Sequence, residues 1–213
     1  MVRKQSPRRV RPKSSVCNFK GAAGPWYSTE TKEFHLPYES AKELMTKVVN
    51  SYIYANGNPP KELFIHGKTR FDEDEWKGFR DAVPQETNLV GVRIKDAADF
   101  KLFTPVEMPV LRGTYCQVNS NRGYLWTRGY VPQLKTYSGR EVPNPLDIHI
   151  HRGNGNLAQV MNDIMGLTKV NFNACIFSDG YPVTLRFANA VGEILTAAPL
   201  SIDLPPLPFR HYI

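Results

Sequence analysis

The chain has 213 residues, 41% of them apolar, which suits one globular domain with a sizeable core and excludes a disordered polymer. No run of eighteen apolar residues is present, so no membrane-crossing helix is expected. Cys17, Cys116 and Cys175 are too few and too far apart for a zinc pattern or a disulfide framework, and they fit a reducing cytoplasm. The net charge of +7 is unevenly placed. Residues 1–13 hold six of the 27 basic residues and no acid, leaving 21 basic against 20 acidic elsewhere. Residues 1–15 are therefore read as a basic, disordered leader, which could also touch phosphates by counterion release.

In chain order, "SSVCNFKG" and "KEFHL" predict two short strands around the turn "GAAGPW". A helix is predicted from Ser40 to about Asn56, with Leu44, Met45, Val48, Val49, Tyr52 and Ile53 at helical spacing and "NGNPP" as its stop. "KELFIHG" predicts a buried strand. "DEDEWKGFRDAV" predicts a helix capped by Asp72, with acids in the first turn where the helix dipole favours them. "NLVGVRI" is another buried strand. From 101 to 142, "GTYCQVN", "RGYLWTRG" and "QLKTY" predict short strands around a turn at 119–123. A helix follows from Asn156 to about Leu167 and can extend into "TKVNFNA". Pro182 is read as the first residue of a last helix that turns Leu185, Ala188 and Val191 to one side. This order defines an α/β domain with helices covering a mixed sheet. The end of the chain, Phe209 to Ile213, is apolar and aromatic, unlike a frayed tail, so its α-carboxylate is expected at a defined spot.

Taken together, "PPKELFIHG", "NLVGVRI", a β-rich insert with "VPNPL", then "LTKVNFN", "PVTLRFANAVGEIL" and the aromatic end resemble the PIWI domain of prokaryotic Argonautes. The likeness runs from about Cys17 to Ile213 and is strongest to the short Argonautes, built only of MID and PIWI domains. It implies a ribonuclease H-like fold over residues 16–213, here a partial PIWI domain without its opening strand. It also implies guide RNA or DNA and a complementary target as ligands. A MID-containing segment and an APAZ-type effector subunit (Sir2, TIR or nuclease) are implied as partners in prokaryotic immunity. Slicing in this family needs carboxylates that hold two Mg²⁺ ions. The strand that brings one of them reads "LFIHG" here, giving His66 and Gly67 with no acid before Asp72. The final helix offers Arg186, Phe187 and Ala188 where active members carry a late ligand. The chain is therefore expected to bind without cutting. An active nuclease with its acids elsewhere, or a truncated remnant, are the alternatives.

The resemblance also places ligands. Lys169, Asn171 and Asn173 fall near the anchored 5′ end of a guide, with Lys169 and Asn173 on one helix face. The carboxylate of Ile213 would share a Mg²⁺ with the guide 5′-phosphate, a hard, oxygen-only set. Arg186 can meet a guide phosphate or pair with Glu193. Arg112, Arg122, Arg128, Lys135, Arg140 and Arg152 alternate with Tyr115, Tyr124, Trp126, Tyr130 and Tyr137, as in a nucleic-acid channel. A sheet face with an aromatic core is expected to account for at least half of these. Arg128 and Arg140 are kept as nucleic-acid contacts. His149 and His151 share one side of a strand, but no third zinc ligand stands at suitable spacing.

Overall fold

The computed structural model describes residues 26–27, 34–105, 107–137, 141–170 and 180–197. The leader, the "SSVCNFKG" segment, Arg140, Asn171, Asn173 and the stretch ending at Ile213 lie outside them, so expectations for those positions stay expectations. Two short strands, β1 (Trp26–Tyr27) and β2 (Phe34–His35), pair antiparallel. The first of them occupies the end of the segment expected to be only a turn. Helix α1 (Tyr38–Asn56) ends at Gly57, whose φ of 82° gives the left-handed cap that a residue without Cβ adopts freely.

Strand β3 (Glu62–Gly67), helix α2 (Glu73–Asp81) and strand β4 (Asn88–Asp96) form a parallel crossover unit. Asp72 caps α2 as expected, its side chain accepting from the Glu75 backbone N–H at 2.7 Å. Next come β5 (Tyr115–Gln117), β6 (Arg122–Leu125), β7 (Leu146–Arg152), α3 (Leu157–Lys169) and α4 (Val183–Ala197). The strands form one mixed sheet in the order β3-β4-β7-β6-β5, antiparallel throughout except for β3 with β4. Asn119 makes the turn between β5 and β6, its side-chain oxygen accepting from the backbone of Asn121 and Arg122.

Alternation along the strands divides the sheet into two faces. One face presents Phe64, Val90, Val92, Ile94, Ile148 and Ile150 to α3 and α4, which contribute Leu157, Val160, Met161, Ile164 and Leu185. The close approach is made possible by Gly123 on β6, where a Cβ would stand 2.3 Å from the Met161 methyl. On the other face, α1, α2 and the turn after α2 cover Leu63, Ile65 and Leu89 through Ala41, Met45, Val49, Phe79 and Val83.

Four local expectations are corrected. "QLKTY" is not a strand: Pro132–Leu134 form a 3-10 turn, followed by a single bridge between Val131 and Thr136. Pro132 has no N–H for a ladder, and Lys135 takes a φ of 48°, which ends extended backbone there. Pro182 stands one place before the last helix, its carbonyl accepting from Leu185 and Arg186. In that helix Leu185 is buried but Ala188 is exposed. In α1 the buried stripe is Ala41-Met45-Val49, while Val48 and Tyr52 face outward. The apolar positions of α1 outnumber those that α2 can cover.

Candidate nucleic-acid interface

Because β3 and β4 run parallel, their carboxyl ends share one rim of the sheet, where open α/β sheets place their ligands. The antiparallel register brings the start of β7 (Leu146 opposite Asp96) and the end of β6 (Leu125 opposite Leu146) to the same rim. Helix α3 starts where Gly155 packs on Val90, at the opposite rim, and reaches Met165 against Gly113. Its last residue, Lys169, is thereby delivered to the rim of the carboxyl ends, and it is exposed.

Helix α4 starts at this rim. Thr184 in its first turn meets His66 of β3, Oγ1 to Nδ1, at 2.9 Å. Burial holds the His66 imidazole down to about 4, against a smaller opposing effect of Asp163. At neutral pH the ring is therefore uncharged. Tyr181, just before the helix, donates its hydroxyl proton to Asp96, and Lys68 lies 5.9 Å from the centre of its ring. Gly180 has a φ of 86°, and a Cβ there would stand 2.6 Å from Nε of Arg128. The arginine that follows β6 thus lies along the turn leading into α4. Arg186 is exposed one turn into that helix. The positive end of the α4 dipole, Lys68, Arg128, Lys169 and Arg186 all belong to this rim, an arrangement that attracts phosphate.

Of the expected nucleic-acid contacts, Lys169, Arg128 and Arg186 are thus brought to one rim. Asn171, Asn173, Arg140 and the Mg²⁺ ligand Ile213 lie outside the described residues. Lys68, Thr184 and Tyr181 do not emerge from the sequence, nor does the partner of His66, since the His66–Thr184 pair joins residues 118 positions apart. The strand end "IHG" and the helix start "PVT" were the available signals.

The basic-aromatic series resolves largely into internal pairs. Trp126 is fully buried and donates to the Pro143 carbonyl at 3.2 Å. Arg112 donates to the Thr127 carbonyl. Arg152 binds Glu73 at 2.7 Å and the Phe71 carbonyl at 3.2 Å. Asp147 joins three strands: Arg122 of β6 donates to both of its oxygens, at 2.9 and 3.0 Å, and Arg93 of β4 donates at 2.9 Å. Burial pushes the Asp147 carboxyl up, but the hydrogen bonds and charge of Arg122, then of Arg93, leave it below its ordinary value. His149 and His151 do lie side by side, with ring centres 6.1 Å apart. Burial, then neighbouring charge, holds both down, His151 to about 4. Among the described residues no carboxylate or thiol joins them as a third ligand.

No family model matches the chain, and no curated protein sequence does. Its architecture is the ribonuclease H-like α/β fold of Argonaute PIWI domains. It is similar to the Argonaute of Clostridium butyricum, solved with a guide DNA bearing a 5′ deoxycytidine and a 19-mer target DNA. The TM-score is 0.63 at 20% identity, covering 84% of this chain and 23% of that one. The chain thus spans less than a quarter of that Argonaute's length.

Proposed function

We propose that this chain is a PIWI region of the short-Argonaute kind, which holds a guide–target duplex without cutting it and relays target recognition to an effector subunit in cytoplasmic prokaryotic defence. The observation that carries the reading is the convergence of Lys68, Arg128, Lys169, Arg186 and the α4 amino terminus on one rim of a fold shared with a guide- and target-bound Argonaute. Such a rim suits the sugar-phosphate backbone; sequence would be read by base pairing between guide and target. The non-cutting part is supported by what stands at the end of β3. His66 occupies the place where the resemblance calls for a carboxylate, and it hydrogen-bonds to Thr184. The next acid, Asp72, caps α2 with one oxygen and turns the other towards His35, not His66. The 5′ end of the guide would be held by Lys169, Asn171 and Asn173, with Mg²⁺ between its phosphate and the Ile213 carboxylate. A MID-containing segment would complete that pocket.

Filter binding with 5′-phosphorylated and 5′-hydroxyl guides, with and without Mg²⁺, tests the reading in the presence of a MID-containing partner. Tighter, Mg²⁺-dependent binding of the phosphorylated guide is expected, with loss on Lys169→Ala. Equal binding of both guides removes the 5′-end assignment. Mg²⁺-dependent target cleavage that disappears when acids of this chain are replaced overturns the non-cutting assignment.

A further inference from the structure

We propose that His35, Asp72 and Glu75 bind one divalent transition-metal ion of the zinc class, fastening the segment that leads into α1 to the start of α2. One ligand atom from each of the three residues lies within 4.8 Å of the others. His35 Nδ1 stands 3.8 Å from Asp72 Oδ2 and 3.6 Å from Glu75 Oε2. These separations are too long for direct hydrogen bonds. They are close to the edges of a coordination shell: ligands about 2.0–2.1 Å from one ion at tetrahedral angles sit about 3.4 Å apart.

The second observation is Glu75 itself. Its side chain is only 8% exposed, and Oε2, which points at His35, has no hydrogen-bond partner among the described residues. A carboxylate oxygen left so is costly unless a cation or proton meets it. One divalent ion would neutralise both carboxylates with the imidazole uncharged.

Asp72 Oδ1 accepts from the Glu75 backbone N–H, which leaves Oδ2 turned to the cluster. Such outer contacts set ligand direction in metal sites. Asp72 is a quarter exposed, so water can fill a fourth position from that side. One imidazole with two carboxylates suits Zn²⁺ or Mn²⁺ better than Mg²⁺, which prefers oxygen and water. The site lies on the α1/α2 face, whereas His66 and α4 lie on the other, so it stands or falls apart from the nucleic-acid reading.

The test is metal titration of the full chain after chelation, using Zn²⁺ and Mn²⁺ by calorimetry and Co²⁺ by visible absorption. Binding of one equivalent is expected, with Co²⁺ bands displaced by Zn²⁺ and a melting temperature raised by Zn²⁺ but not by Mg²⁺. Glu75→Gln and His35→Gln should each weaken binding by about 100-fold or more, whereas His149→Gln should leave it unchanged. Should either ligand variant fail to fold, the His35 ring resonances of the unmodified chain, shifting on Zn²⁺ addition, serve instead. No saturable binding, or binding unaffected by these variants, overturns the site and leaves a plain His35–carboxylate ion pair.

Discussion

The two faces of the sheet solve the same problem differently. Under α3 and α4 the covering is aliphatic, and the charges are pushed out to the rim. On the opposite face the apolar cover of α1 and α2 stops beyond β4. There β4, β7 and β6 carry Arg93, Asp147, His149 and Arg122, and the sheet is closed by ion pairing and ring contacts. Charges that satisfy one another hold strands together. The exposed Lys68 and Lys169 stand instead on a rim beside a helix amino terminus. Composition alone does not separate the two kinds, because both are basic side chains among aromatics.

Breaking the aliphatic side should have the largest effect. Ile164→Ala, which removes a fully buried side chain of that aliphatic cluster, is expected to cost about 3–4 kcal/mol in denaturant unfolding. On the charged side, Asp147→Asn leaves two arginines facing an amide and should cost about 2–3 kcal/mol. Because the folded Asp147 value is lowered, its contribution is present above the ordinary carboxylate range, near 4, and fades as pH falls below it. The asparagine variant should lose that acid sensitivity.

His66 sharpens the contrast at a higher pH. Its folded value, about 4, is below the ordinary 6.5, so the unfolded chain takes up the proton first. Stability is full above 6.5 and falls between 6.5 and 4, by about 2 kcal/mol at pH 5. His66→Gln should flatten that stretch of the pH–stability curve. The smallest effect on folding belongs to the rim: Lys169→Ala should shift stability by no more than about 0.5 kcal/mol. It should nevertheless lower nucleic-acid affinity and reduce the slope of log affinity against log salt by about 1.

What the sequence made legible was local. The Asp72 cap and acidic first turn of α2, the Asn156 cap of α3 (accepting from Gln159 at 3.0 Å) and the apolar runs of β3 and β4 all rest on neighbours within a few positions. The order of the strands was not legible. No short-range pattern says that β7 enters between β4 and β6, and that insertion is what joins Asp147 to Arg93, 54 positions away. The candidate rim was half legible. Lys169, Arg128 and Arg186 followed from residue type and resemblance, but Lys68 and Tyr181 meet only because β3 and α4 end and begin at the same edge. The His35 cluster was invisible for a similar reason: a lone histidine before one helix gains meaning only when the cap of another is folded against it.

The Asp147 junction has a consequence for errors of assembly. Side chains alternate along β7, so a slip of one residue against its neighbours would carry this carboxylate to the side of Ile94, Ile148 and Ile150 and send an isoleucine into the arginines. The slipped pairing keeps most backbone bonds yet strands a charge in hydrocarbon on one side and exposes an aliphatic chain on the other. A single carboxylate thereby acts as a proofreader of strand alignment, rejecting near-correct sheets that hydrogen bonding alone would accept.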